Sequence, residues 1–509
     1  MKEWNKHRYK LIIAVVLFVT EIAYGFYVCY FQGRILNDAF SRTANAFYVI
    51  FVKPSRYASV GLVWNPLPST LQLPFVALAK IWRPFASSGI CAVIVTAIFA
   101  ALASGMLLDT FERLNIGKKY AITVTLLYAF NPFIFFYGCN GMSESIFFTL
   151  VIYIVCNLSL WMKMGKSKHL VKIAFALVFL FFTRYEAIPF AAAVGLCVII
   201  HILFNRKERI YWLNDSFRER YFYVEGTMVL LYTPMVYGVF LWILFNWVIN
   251  GNPLYFLNSA YSNVSQSIFT RDFGSQWDIL FYEIERLIPF IPLFLLIVLI
   301  YVFRKQIATT DFIIIFILNI ILMVFHFWML TSGSSFGWLR FFSYTLPVSI
   351  SFIPYILSES KKKFLKADKT AIVIALLISG GLCAYALQDE ELAKEELNIT
   401  ISNEVYKMSD YINENLSDEK VLMDAFLTNG VILNVENVDQ LVVSSSLNFY
   451  DCVADPVGQG INYILVPDTS GVGNLDAVNL AYPDLYSTGA DWCELEEEFE
   501  GFRLYRVID

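Results

Sequence analysis

Long apolar runs separated by short polar connectors fill the first three quarters of this 509-residue chain. A membrane-spanning helix needs about 20 mostly apolar residues. On that rule eleven segments are predicted to span: 11–30, 90–108, 120–137, 145–162, 170–182, 187–204, 228–249, 287–303, 312–330, 341–357 and 370–387, with 170–182 the shortest. The first run is too long for the apolar core of a signal peptide and lacks a small-residue cleavage site, so it reads as a signal anchor. The connector 31–88 is not linker-like, because aromatic and aliphatic residues recur along it. Within it, 39–51 and 69–82 each place apolar residues on one helical face. They are expected to form amphipathic helices in the membrane interface, with Pro66 and Pro68 interrupting the segment between them. A second long connector, 250–286, carries Gly251-Asn252-Pro253-Leu254 and Tyr261-Ser262-Asn263, and reads as a cover that moves over a site.

Charge adds a direction to this pattern. Basic residues gather in every second connector: Lys2 to Lys10, Arg113 to Lys119, Lys163 to Lys168, Arg206 to Arg220, Arg304-Lys305 and Lys361 to Lys369. Cytoplasmic loops carry such excess, so the amino terminus is expected inside and the carboxyl terminus outside. Composition agrees with a polytopic membrane protein, at 58% hydrophobic and 16% charged residues, where soluble domains run nearer 25% charged. The net charge of −5 hides an asymmetry, since the tail from Leu387 carries about −20 and the remainder about +15.

That acidic tail changes the picture again. Residues 1–387 read as the membrane domain and 388–509 as a separate soluble, extracytoplasmic domain. In the tail 390–415 reads as helix, while 421–423, 441–443 and 463–466 read as short buried strands. Asn429-Gly430, Pro467-Asp468 and Ser470-Gly471 are turn signals. Strand and helix alternate, so a small α/β domain is expected. The acidic run 494–500 reads as a solvated face. The fold class is therefore an α-helical polytopic membrane protein of about eleven transmembrane helices, with amphipathic helices in the first outer loop and a C-terminal α/β domain.

Several chemistries are set aside by what the chain lacks. The eight cysteines have no metal-ligand spacing, and the four histidines are scattered. Cys452 and Cys493 share the tail, where spacing alone does not decide whether they pair. There is no Gly-rich phosphate loop, and the basic runs set topology rather than marking a nucleic-acid footprint. What remains is Asn37-Asp38-Ala39-Phe40-Ser41-Arg42 just after the first span, followed by Val63-Trp64-Asn65-Pro66-Leu67-Pro68. Arg42 lies four residues after Asp38, on the same helical face, where it would hold the carboxylate ionised or bind a phosphate. A solvated loop acid or helix N-cap is the plainer account of Asp38.

An acid soon after span one, membrane-lying loop helices and many further spans resemble the C-type glycosyltransferases, which use polyprenyl-phosphate-linked sugar donors on the non-cytoplasmic face. Ser143-Glu144-Ser145-Ile146-Phe147 and Thr183-Arg184-Tyr185-Glu186-Ala187 are similar to the mannosyltransferase branch. The resemblance implies an inverting transfer with Asp38 as catalytic base. It also implies donor-phosphate contacts from Arg42 and from Arg340, in Gly337-Trp338-Leu339-Arg340-Phe341-Phe342. Ser41, Trp64, Asn65, Glu144, Arg184 and Glu186 would contact substrate, Trp64 by stacking on sugar. Glu144, Arg184 and Glu186 equally suit an ion pair tying two spans together, and Arg340 suits an interfacial snorkelling arginine. Some members carry a second acid directly after the first. Ala39 stands there in this chain, which argues against a metal held by an Asp-Asp pair and leaves a divalent cation the only cofactor still open. The partners implied are a polyprenyl-phosphate-linked sugar, the bilayer and an outward-facing glycan, lipid or protein acceptor. The other readings are a transporter or flippase of lipid-linked saccharides, which would more often show internal repeats and broken helices, and an envelope scaffold acting through the tail.

Overall fold

The computed structural model describes residues 2–205, 216–259, 262, 273–397 and 401–508. Arg206, Lys207 and Arg209 of the fourth basic connector, and Tyr261 and Asn263 of the second long connector, lie outside the described residues. Among the described residues eight helices are long and apolar enough to cross a membrane, and ten spans result if two bent helix pairs each count as one. The chain is thus a multi-pass membrane protein.

Two predicted spans are broken by proline. Where 120–137 was expected to run through, Lys118–Ala129 and Pro132–Gly138 meet at 72°. Pro132 has no N–H to give, and Asn131 restarts the helix by accepting the Phe133 N–H on Oδ1 at 3.1 Å. Where 287–303 was expected, Gln276–Leu287 and Pro292–Phe303 meet at 93°. The expected span 170–182 is the helix Lys168–Phe181, whose 14 residues make it shorter than the eight helices counted above and which packs along Ser143–Met164.

Contacts divide the chain into two compact units, Met1–Tyr24 with Thr96–Phe245 and Asp272–Asn398, and Gly25–Val95 with Asn246–Arg271 and Ile399–Asp509. The first unit is the bulk of the helical bundle. Its central helices, Ser143–Met164 and Leu339–Glu359, are almost wholly buried. Apolar helices in lipid gain no hydrophobic drive from meeting each other, so polar bridges and close packing fix their register. Ser349 donating to Asn319 Oδ1 at 2.9 Å is one such bridge.

The second unit joins the first long connector to the α/β tail. In the connector, Asn37–Phe51 is a helix burying Phe40, Thr43, Ala44 and Phe47 on one face. Leu67–Val76 is a second, started rather than interrupted by its prolines: Pro66 caps it and Pro68 sits in its first turn. The tail holds five strands, β1 (Val421–Leu422), β2 (Leu441–Val442), β3 (Tyr463–Pro467), β4 (Cys493–Phe499) and β5 (Phe502–Val507), in the order β2-β1-β3-β5-β4. β1 is parallel to β2 and β3, with the helices Ala425–Asn434 and Phe449–Ala454 in the crossovers, and β5 is antiparallel to β3 and β4.

Two readings of the tail are corrected and a third is refined. The helix expected over 390–415 is two, Lys394–Leu397 and Asn403–Asn415, because Ser402 starts the second by accepting the Glu404 N–H at 3.2 Å. Asn429-Gly430 is no turn but the middle of Ala425–Asn434. Its glycine answers a close approach: a Cβ there would stand 2.9 Å from Val405 Cγ1 and 3.4 Å from Phe40 Cε1. The acidic run 494–500 is solvated as expected, but most of it is the edge strand β4, whose glutamates are answered across the hairpin by Arg503 and Arg506. Cys452 and Cys493 are free thiols in the core beneath the sheet.

Candidate active site

The loop helix Asn37–Phe51 places Asp38 in its first turn, half-buried. Free N–H groups and the helix dipole favour a carboxylate at that end. Arg42, one turn on, is buried at 8% exposure. Its Nη1 donates to the Asn65 carbonyl at 3.3 Å, and its guanidinium lies 5.1 Å from the Trp64 ring. The Val63–Asn65 turn therefore grips Arg42 from one side, and Pro66 directly after it launches the next helix. The two helices are pinned by Thr43, which donates to Gln72 Oε1 at 2.8 Å, with the Cys91 thiol 3.3 Å from the same oxygen.

The tail also holds this helix. Ser41 Oγ accepts a hydrogen bond from Asn429 Nδ2 at 3.0 Å. Arg83 donates to the carbonyls of Leu433 and Val435 at 2.7 and 2.6 Å, closing the end of Ala425–Asn434, while its guanidinium lies 4.5 Å from the Phe47 ring. Burial lowers Arg83 to about 10, against the pull of Glu436.

In the other compact unit, four separate segments bring two arginines and three glutamates together. Glu144, in the first turn of Ser143–Met164, is fully buried. Its Oε1 accepts a hydrogen bond from Arg184 Nη1 at 2.5 Å and forms an ion pair with Arg340, whose Nε lies 3.2 Å away. Arg184 also donates from Nε and Nη2 to Glu186 Oε1, at 3.0 and 2.6 Å, and from Nη1 to Ser143 Oγ at 3.3 Å. The Tyr344 hydroxyl donates to the same Glu186 oxygen at 3.2 Å. Glu396 Oε1 accepts the Arg340 backbone N–H at 3.2 Å and lies 3.9 Å from Arg340 Nη1. Trp338 stacks 3.9 Å from the Arg340 guanidinium. Burial works to raise Glu186, but the Arg184 guanidinium holds its carboxyl down to about 2. Burial raises Glu396 against the pull of Arg340, which favours its neutral form.

Asp38, Ser41, Arg42, Trp64 and Asn65 thus lie in one unit, and Glu144, Arg184, Glu186 and Arg340 in the other. Arg340 is neither lone nor snorkelling: it is 3% exposed and salt-bridged. Glu144, Arg184 and Glu186 are joined by ion pairs through the Arg184 guanidinium. Sequence reasoning missed Tyr344, Glu396 and Asn429. Tyr344 had a signal, four residues after Arg340. Glu396 and Asn429 had none, one in an acidic stretch and the other in an apparent turn. Among the described residues no group of three or more His, Cys, Asp or Glu side chains is placed to hold a metal ion.

No protein-family profile matches the chain, and no curated protein sequence matches it. Its fold is similar to that of ArnT from Cupriavidus metallidurans bound to undecaprenyl phosphate, at TM-score 0.57 and 11% identity over 97% of both chains. The same protein in the apo state is similar at TM-score 0.57 and 12% identity, again over 97% of both chains. At this identity the likeness is one of fold alone.

Proposed function

We propose that this chain is a membrane glycosyltransferase that takes a sugar from a polyprenyl-phosphate donor and transfers it, with inversion, to an extracytoplasmic acceptor. The observation that carries the reading is an acid at the head of the first-loop helix, in a fold matched along its length by a protein solved with undecaprenyl phosphate. In this mechanism Asp38 takes the proton of an acceptor hydroxyl. That oxygen bonds the anomeric carbon, and the bond from that carbon to the phosphate oxygen breaks, leaving polyprenyl phosphate. Arg42, held by Trp64 and Asn65, meets the donor phosphate; Ser41 and Asn65 line the same face, and Trp64 offers its ring to the sugar. Within the other unit, Arg340 is assigned a phosphate contact and Glu144, Arg184 and Glu186 sugar contacts, to be tested separately.

Proteoliposomes supplied with a panel of polyprenyl-phosphate hexoses and extracted envelope acceptors test the reading. Asp38→Asn is expected to lower transfer at least 1,000-fold, with insertion unchanged; retained transfer rejects the base. Two broken spans lend some support to the transporter reading. Movement of the lipid-linked sugar across the bilayer without covalent transfer would establish that reading instead. The assigned sidedness, with 388–509 outside, predicts that Asn37→Cys and Leu447→Cys are both labelled from the outer face. The native cysteines are buried and give no background. Labelling from the cytoplasm overturns that topology.

A further inference from the structure

The helix Gln276–Leu287 stands at 93° to the 12-residue apolar helix Pro292–Phe303 that follows it. Where the second helix enters the bilayer along its normal, the first lies in the bilayer plane. Its inner face buries Ile279, Glu283, Arg286 and Leu287. On the outside Trp277, Phe281, Ile284 and Ile288 are all exposed, the first two at 69% and 67%. They recur at i, i+4, i+7 and i+11, so they fall in one stripe about 60° wide. The exposed acids Asp278 and Glu285 lie roughly 80° around from the centre of that stripe.

This surface calls for an occupant that is apolar in one quadrant and wet in the next. A bilayer interface has that gradient within the depth of one helix. The adjoining helix Pro292–Phe303 also exposes Leu295, Leu299 and Val302, so apolar surface continues past the bend. A tryptophan at its head suits the headgroup level. We propose that Gln276–Leu287 is a membrane-seated helix, its Trp277–Phe281–Ile284–Ile288 stripe inserted into the lipid interface and its acids turned to water.

The seat bears on Arg340. On the protein side the Tyr282 hydroxyl donates to the Gly337 carbonyl at 2.9 Å, and the Arg286 guanidinium lies 3.4 Å from the Tyr282 ring. Ile279, Leu287 and Tyr282 pack with Phe336, Trp338 and Phe341 on either side of Arg340. The lipid-seated helix therefore holds down the loop that delivers this arginine.

Ile284→Cys and Glu285→Cys, about 100° apart on the helix, carry an environment-sensitive NBD label in phosphatidylcholine/phosphatidylglycerol proteoliposomes. The label at 284 is expected to be blue-shifted, quenched more by 5-doxyl than by 12-doxyl lipid, and several-fold less open to iodide than the label at 285. Equal iodide quenching at both positions overturns the seat. So does strongest quenching by 12-doxyl lipid, which marks a spanning helix, or shielding from both quenchers, which marks a protein partner. The link to Arg340 is read by amide exchange in the Trp277→Glu/Phe281→Glu variant. Exchange over 333–340 should rise at least tenfold with Ser143–Met164 unchanged. Should exchange rise everywhere, Tyr282→Phe replaces that variant with the same expectation. Unchanged exchange over 333–340 overturns the link.

Discussion

Replacing Glu144 by glutamine keeps the side chain's shape and one acceptor oxygen but deletes the charge between Arg184 and Arg340. With Glu396 favouring its neutral form, the cluster balances two guanidiniums against Glu144 and Glu186. Glu144→Gln leaves one buried cation in excess. Arg184 keeps its two bonds to Glu186, so the loss falls mainly on Arg340, which lies 3.9 Å from Glu396. Breaking a buried pair from one side costs about 3–5 kcal/mol. The retained amide oxygen places this case at the lower end, about 3 kcal/mol. Glu396 supplies a pH signature. Burial raises this carboxyl, so it ionises at higher pH than an ordinary glutamate and then answers Arg340; the deficit of the variant should shrink as pH rises. The assay is thermal and denaturant unfolding of purified protein in nanodiscs, with Arg340→Met and the double variant completing a cycle. The double variant should be less destabilised than Glu144→Gln alone, with a coupling above about 1 kcal/mol. A Glu144→Gln protein within about 0.5 kcal/mol of wild type, or a deficit that grows with pH, refutes the charge balance described.

Further expectations follow from the second unit. Gly430→Ala gains about 1 kcal/mol of helix propensity, but its Cβ meets Val405 at 2.9 Å and Phe40 at 3.4 Å. Val405 is β-branched and stiff, so overpacking of 1–3 kcal/mol should prevail; a higher melting temperature would reverse the sign. The buried Asp476 carboxyl is pushed up to about 8 by burial and by Asp424. Its unfolded value is near 3.9, so the stabilisation from its proton is full below about pH 4 and declines as pH rises to about 8. Asp476→Asn should flatten this part of the pH–stability profile and stabilise the protein at pH 8 by about 1–2 kcal/mol; an unchanged profile counts against it. Arg42→Lys loses the planar contact with Trp64 and the fixed reach to Asn65. Transfer should fall about 10–100-fold through donor KM, corresponding to 1.4–2.7 kcal/mol, and a loss confined to acceptor KM argues against a phosphate contact.

Hydropathy is a local property, summed over some 20 residues, and the residues alone were enough for nearly all the spans and for the loop helix that carries Asp38. They were enough, too, for β1, β2 and β3, whose apolar runs need no knowledge of their neighbours. They did not disclose the bends at Asn131 and Ile291, because proline is tolerated inside a crossing or ends it according to what satisfies the freed backbone groups. They mistook Gly430 for a turn, since the reason for that glycine is Val405 and Phe40, packed against it from other helices. They offered Glu144, Arg184, Glu186 and Arg340 as separate candidates, whereas their charges are settled by one another and by Glu396 and Tyr344. A side chain's polarity is written in the chain. Its counter-charge, its burial and the surface it faces come from segments tens to hundreds of residues away, and only folding brings those within reach.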